Sequence, residues 1–310
     1  MRLLSTAAIL VSMVAHAQAE IDNGAFGRLE LLGGYNSTDT SGQDIGAEGD
    51  NVGFGSAAGT LSLPIGDKST LSLDLNYRSD DFSKTKPSGY GSNAPIDNYG
   101  FGAHFIHTTG SSLDLGVFYA YGDGSRHNKD TSDQYDVHLA GLEMRAHLNE
   151  DLIVFTQLAQ GLKGRDGEDA FNGFDKGLAS RVGLAMAIGQ SSSLMLDGEY
   201  SFAPEMFEGE DDGKFYSLTL SGETPLPGFQ NVYATAFAAY QKFDSTTETD
   251  VIVEKQVGLG LRFYFNQNNL IESLRQRGSI GTPNLPIRAS NWTDELSENP
   301  DDCSDGGVPC

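Results

Sequence analysis

Residues 254–265 (EKQVGLGLRFYF) alternate strictly between apolar and mixed side chains, a pattern that leaves few folds open. Apolar side chains occupy every second position from Val257 to Phe265, and glycine, arginine and tyrosine fill the positions between them. Successive side chains of a β-strand point to opposite faces. This period of two therefore predicts a strand with one apolar face and one mixed face.

The same alternation recurs along most of the chain. The alternating segments lie at about 26–35, 52–63, 69–79, 98–108, 112–122, 134–148, 152–163, 173–188, 193–202, 214–223, 231–243 and 251–265. Most have the ~9–11 residues that a tilted strand needs to cross a bilayer. In the sixth segment the apolar positions change parity near Ala140 and Gly141, a change that a β-bulge would produce.

The connections between these segments alternate in kind. Long, polar and acidic connections lie at 36–51, 80–97, 123–133, 164–172, 203–213 and 244–250, and short ones such as PIGDK, TGS and NED lie between them. Short turns at one end and longer loops at the other are typical of outer-membrane barrels. Residues 20–265 are therefore predicted to form an all-β fold, a transmembrane antiparallel up-and-down β-barrel of about 12 strands.

The first residues, MRLLSTAAILVSMVAHAQAE, combine a basic start with a short apolar run and an A-x-A site at 17–19. This arrangement is typical of a secretory signal peptide, and the run is shorter than the ~20 apolar residues of a membrane-spanning helix. We expect residues 1–19 to be a signal peptide cleaved near Ala19. We expect the mature chain to reach the outer membrane of a Gram-negative bacterium.

The chain is strongly acidic, with 43 Asp and Glu against 20 Lys and Arg and a formal net charge of −23. This balance argues against nucleic acid as a partner, since phosphate binding needs a basic patch. The acidic segments 164–173 and 204–215 favour cations over anions at a pore mouth. They do not match the spaced carboxylates of a calcium loop, so no metal and no cofactor is predicted.

Four residues of the last segment, Gln256, Gly258, Phe263 and Phe265, follow the pattern of the C-terminal assembly signal of Gram-negative outer-membrane barrels. In architecture the region 20–265 resembles porin-type proteins. This resemblance implies the barrel-assembly machinery, outer-membrane lipid and lipopolysaccharide as partners. The sequence departs from the pattern in one respect, because 45 further residues follow Phe265.

The strand faces opposite the apolar ones carry charges of both signs and are predicted to line the pore. The predicted pore-lining residues are Arg28, Glu30, Asp74, Arg78, Asp114, Glu143, Arg145, Lys163, Asp175, Arg181, Asp197, Glu199, Glu223, Glu254 and Arg262. Buried charges are costly unless they are paired or hydrated. The interior is therefore either watery or a dense network of ion pairs, and a barrel of this size permits both.

These features predict a porin, a passive diffusion channel for small hydrophilic solutes with a preference for cations, rather than an enzyme. One alternative is a surface-recognition or structural barrel without conductance. Another is an outer-membrane lipid hydrolase, for which His107 with the serines of HTTGSS, and Asp136 with His138, are the residues to consider.

The remaining residues, 266–310, are predicted to form a periplasmic tail. The segment 268–278 (NNLIESLRQRG) has a capping Asn, apolar residues at helical spacing and a final Gly, which predicts a short helix. A polar, proline-interrupted stretch follows. An oxidising periplasm favours a disulfide between Cys303 and Cys310, the two cysteines of the chain.

Overall fold

A computed structural model of the protein describes residues 24–41, 50–81, 96–110, 112–126, 134–162, 174, 176–207, 211–245 and 251–284. Twelve strands and one short helix make up this part of the chain. They are β1 (Phe26–Ser41), β2 (Asp50–Ile65), β3 (Ser69–Asp81), β4 (Ile96–Thr108), β5 (Leu113–Arg126), β6 (Gln134–His147), β7 (Leu152–Leu162), β8 (Leu178–Ile188), β9 (Ser192–Phe207), β10 (Asp211–Pro225), β11 (Val232–Ser245), β12 (Val251–Phe265) and α1 (Leu270–Arg275).

The strands form one closed antiparallel barrel in which each strand pairs with its neighbours in sequence. The last strand closes the ring by pairing with the first, from Gly27 opposite Phe265 to Ser41 opposite Val251. Closure gives every strand two hydrogen-bonded neighbours, so no edge of the sheet is left unpaired. The predicted fold class, an up-and-down barrel of about 12 strands, is confirmed.

The two ends of the barrel differ in their connections. At one end, here called the short-turn end, the strands are joined by residues 66–68, 109–112, 148–151, 189–191 and 226–231. At the other end, called the long-connection end, several strands run further than the sequence indicates. β9 and β10 extend until only 208–210 separates them. The extension of β1, residues 36–41 (NSTDTS), is polar and lacks the alternation that marks the rest of that strand.

The outer face is apolar. Large apolar side chains such as Leu259, Leu142 and Val182 are exposed there, and exposed tyrosines lie towards the long-connection end. Two pairs of tyrosine rings meet across neighbouring strands in a tilted arrangement, Tyr77 with Tyr99 and Tyr200 with Tyr216. Within the described ranges, no helix has the length and hydrophobicity to span a membrane.

The parity change near Ala140 and Gly141 is not a β-bulge. β6 pairs in continuous register with β5 and with β7 through both residues. The parity changes because Leu139, fully buried, faces the interior while Leu142 faces outwards. Leu139 is therefore an exception to the pattern in which inward-facing side chains are polar and outward-facing side chains are apolar.

Candidate functional site in the barrel lumen

The structure places thirteen of the predicted pore-lining residues on the inner face of the barrel. Seven of them line a central cavity: Arg28, Glu30, Asp74, Arg78, Arg181, Asp197 and Arg262. Six are buried against other interior groups: Asp114, Glu143, Arg145, Glu199, Glu223 and Glu254. The remaining two, Lys163 and Asp175, lie outside the described residues, as do Cys303 and Cys310.

The interior charges are arranged in pairs and small networks. Arg262 contacts Glu30 and also Glu223, with 2.6 Å between Nη1 and Oε2 of Glu223. Arg181 Nε lies 2.9 Å from Asp197 Oδ1. Pairing of this kind offsets part of the cost of removing charges from water.

A second network surrounds His104, whose side chain is fully buried on β4. Its Nε2 lies 3.0 Å from Asp74 Oδ2 and its Nδ1 lies 3.3 Å from Glu143 Oε1. The ring stacks on Phe118, and Arg145 is 3.6 Å from Glu143. Sequence reasoning missed His104 as an interior residue, although it alternates in step with buried Ile106 two positions further along the strand.

The chain that follows β12 turns back into the lumen at the short-turn end. Residues 270–284 are here called the lumen segment. It begins with helix α1, whose first turn is capped by Asn269, the Oδ1 of which accepts a 2.9 Å hydrogen bond from Glu272 N–H. The apolar side of this segment, Leu270, Ile271, Leu274 and Ile280, packs in one buried cluster with Ile153, Phe155, Tyr233 and Tyr264 of the barrel wall.

After the helix, the segment continues through the lumen in an extended form held by interior charges. Arg145 Nη1 donates a hydrogen bond to the carbonyl of Gly278. The hydroxyl of Ser279 donates to Asp74 Oδ2 at 2.6 Å. Because a buried backbone carbonyl needs a donor, the guanidinium of Arg145 supplies what a neighbouring strand would otherwise give.

The same arrangement recurs further along. Arg181 Nη1 donates to the carbonyls of Gly281 and Thr282, each at 3.3 Å, and Asn284 N–H donates to Glu199 Oε2 at 2.7 Å. Five of the predicted pore-lining residues bind the lumen segment: Asp74, Arg145, Arg181, Glu199 and Glu223, the last through Leu270 N–H at 2.8 Å. We predicted a periplasmic tail from residue 266; residues 270–284 lie inside the barrel.

A separate apolar cluster occupies the long-connection half of the lumen. It contains Phe118, Val137, Leu139, Phe215, Phe243 and Ile252 from the strands, and Phe174 from the connection between β7 and β8. The lumen is therefore layered, with apolar contacts towards both ends and a belt of charged and polar side chains between them.

A cavity of about 260 Å³ lies at mid-height in this belt. Its walls are the inner faces of β1–β3 and β8–β12, with residues 280–282 and 284 of the lumen segment closing one side. Gln256 belongs to this wall. Its Oε1 accepts a 2.9 Å hydrogen bond from Arg78 Nη1, and its Nε2 donates to Gln241 at 3.1 Å.

The other residues of the predicted assembly signal are strand residues of β12. Gly258 stands where a Cβ would lie 2.3 Å from the ring of Phe237, so this close approach requires a glycine. Phe265 is buried, and Phe263 is half-buried on the outer face.

The residues considered for a hydrolase lie apart from the cavity. His107 Nδ1 is 2.9 Å from Ser69 Oγ at the exposed short-turn end, and no carboxylate contacts this pair within the described residues. His138 bridges Tyr119 and Asp136 on the outer face, at 2.6 and 3.1 Å. No group of three or more metal-binding side chains occurs in the part of the chain that the structure describes.

Several solved structures are similar to this chain. They include a KdgM porin (11% identity, TM-score 0.41, covering 76% of this chain and 99% of that chain). The Pseudomonas putida toluene transporter TodX is similar at 10% identity and TM-score 0.42, covering 79% and 90%. The translocator domain of the autotransporter NalP from Neisseria meningitidis is similar at 14% identity and TM-score 0.41, covering 83% and 96%. No protein-family model matches the chain, and no curated protein matches it in sequence.

Proposed function

We propose that the protein is an outer-membrane channel for the passive diffusion of small hydrophilic solutes, and that the lumen segment closes it in the conformation described here. The observation that carries this proposal is the way the segment is held. It contacts the barrel wall through hydrogen bonds to charged side chains and one apolar cluster, and it is part of no strand pairing. It can therefore leave the lumen without breaking the barrel.

The experiment compares three proteins in planar lipid bilayers. The full-length chain is expected to be closed most of the time. A chain ending at Asn269, which lacks the lumen segment, is expected to conduct continuously. A chain ending at Asn284 retains the segment and serves as the matched control, which is expected to behave as the full-length chain does. Resistance of the folded barrel to unfolding in detergent, seen as a shift in gel migration on heating, verifies each barrel.

A cation preference of the open channel is part of the same proposal. Nine carboxylates of the described strands face the interior, against five guanidinium groups. The carboxylates belong to Glu30, Asp74, Asp80, Asp114, Glu143, Asp197, Glu199, Glu223 and Glu254, and the guanidinium groups to Arg28, Arg78, Arg145, Arg181 and Arg262. An excess of one sign raises the local concentration of the opposite ion. The reversal potential of the chain ending at Asn269 in a salt gradient tests this, and a preference for anions would contradict it.

The filled lumen also favours a second candidate, a surface-recognition or structural barrel. That function needs no conducting state. The bilayer comparison tests this candidate too. A structural barrel whose wall side chains fill the interior stays without conductance when the lumen segment is removed, whereas a channel conducts.

The proposed setting is the outer membrane, reached through a signal peptide at residues 1–19 and the barrel-assembly machinery, with lipid and lipopolysaccharide around the barrel. The apolar outer face with its exposed tyrosines supports this setting. Fractionation of cell envelopes with an antibody to the protein tests it, and recovery of the protein from the soluble fraction would contradict it.

A further inference from the structure

The central cavity differs from the rest of the lumen because it is not filled by side chains. Its volume of about 260 Å³ corresponds to roughly nine waters at ~30 Å³ each, a little less than the volume of a typical pocket for a drug-sized ligand. A compact organic solute fits such a space.

The charges on the cavity wall are satisfied with one exception. Arg78 pairs with Asp80 at 2.7 Å, and the pairs of Arg181 and Arg262 are described above. The guanidinium of Arg28, half-buried on β1, forms no hydrogen bond or ion pair with any residue that the structure describes. An unpaired charge withdrawn from water is costly, and a guanidinium presents five N–H donors suited to a carboxylate. The cavity therefore offers a place for an anion.

An independent observation comes from β11. Thr235 is only 5% exposed, lines the cavity, and its Oγ1 has no hydrogen-bond partner among the described residues. Buried hydroxyl groups are nearly always hydrogen-bonded, so this one calls for a partner inside the cavity. The strand register places Arg28 beside Tyr264 on one side of β12 and Thr235 beside Gly260 on the other, so the two groups are separated by four residues along β12.

Apolar surface completes the wall. The rings of Phe54 and Phe237 have centroids 6.0 Å apart, and the guanidinium of Arg78 lies over Phe54 at 3.9 Å. Small side chains, Ala58 and Ala239, leave room around these rings. A ligand with some C–H surface between its polar groups suits this combination of aromatic faces and hydrogen-bonding groups.

We propose that the cavity binds a small, elongated hydroxylated carboxylate, a sugar acid or similar hydroxy acid, with its carboxylate on Arg28 and a hydroxyl group at Thr235. Only the role of this ligand as a transported solute rests on the proposed channel function; its binding does not. The proposed preference of the open channel for small cations rests on the excess of carboxylates over the whole interior. The proposed anion site rests on the single unpaired guanidinium of Arg28.

The test uses the full-length protein in detergent and isothermal titration calorimetry with two probes, sodium gluconate and sorbitol. These differ in having a carboxylate or a hydroxymethyl group at one end. Gluconate is expected to bind about tenfold or more tightly than sorbitol, because a charge-assisted pair replaces a neutral contact. Arg28→Gln is expected to remove this difference, and Arg28→Lys is expected to retain part of it. The control Arg275→Gln, at an exposed position of α1, is expected to leave it unchanged.

Equal binding of gluconate and sorbitol would overturn the inference, and so would an unchanged gluconate preference in Arg28→Gln. Complete displacement of gluconate by an equal concentration of chloride would also overturn it, because a mineral anion would then satisfy the site. Failure of the channel proposal is distinguishable. A protein that binds gluconate but never conducts, even without the lumen segment, refutes the channel and leaves this site standing.

Discussion

Replacing Leu274 by alanine tests whether packing of the lumen segment keeps the barrel closed. The side chain is fully buried, in the cluster that holds the helix against the wall. A Leu→Ala change at such a position costs about 2–5 kcal/mol. The wall strands remain paired in the closed barrel. We therefore expect most of this cost to weaken the binding of the lumen segment inside the barrel rather than the barrel itself.

A cost of about 3 kcal/mol, at a tenfold change in the equilibrium constant for each ~1.4 kcal/mol, shifts the equilibrium about a hundredfold from the bound towards the released lumen segment. Single-channel recording measures this directly as the fraction of time spent in the conducting state. The conductance of each opening is expected to equal that of the chain ending at Asn269, because the same empty lumen conducts in both.

The control is Leu259→Ala, the same chemical change on the outer face of β12, where the side chain is 71% exposed. It is expected to leave the open fraction at the wild-type value. If Leu274→Ala forms a heat-resistant barrel and its open fraction equals that of the wild type, the packed helix is not what closes the channel, and the reasoning fails.

Two further predictions concern the wall. Gly260→Ala places a Cβ 2.0 Å from a backbone oxygen of the neighbouring strand and is expected to impair barrel assembly, measured as the yield of heat-resistant protein. Gly198→Ala, where the nearest atom is 3.6 Å away, is expected to assemble normally, and equal yields would contradict the prediction. Arg181→Gln removes the donor to two carbonyls of the lumen segment and leaves Asp197 buried without its cation, at a cost of about 3–5 kcal/mol. Hydrogen–deuterium exchange of the segment is expected to become at least tenfold faster. The control is Arg78→Gln, which removes contacts with Asp80 and Gln256 of the barrel strands; equal rates in both variants would contradict the prediction.

The strands were predictable because a barrel with an apolar outer face and a largely polar interior imposes a period of two on each strand. Each of the twelve alternating segments contains a strand, and the last strand has the predicted bounds, 251–265. The eighth strand begins at Leu178, five residues later than predicted. The same rule also placed charges such as Asp74 and Arg262 on the inner face. It failed where interior residues are apolar, as at Leu139, because an inward leucine carries the same sequence signal as one on the outer face.

The filling of the lumen was not predictable. The pattern of residues 268–278 indicates a short helix, and helix α1 lies within it. The location of this helix inside the barrel could not be predicted, because the groups that hold the segment are spread over many strands, from Asp74 on β3 to Glu223 on β10. Single-sequence patterns report what each strand does locally. They do not report that an arginine facing inwards meets a backbone carbonyl more than a hundred residues away, as Arg145 meets Gly278.

The lumen segment is joined to the end of β12 by only four residues, 266–269. If the lumen segment is released from the barrel interior, it remains tethered at the mouth of the barrel, at an effective concentration in the millimolar range or above. Rebinding of the segment in the lumen is then a first-order process, and its rate does not depend on the concentration of the protein in the membrane. The time between openings of each barrel would then be set by the contacts that its own lumen segment makes with its own wall.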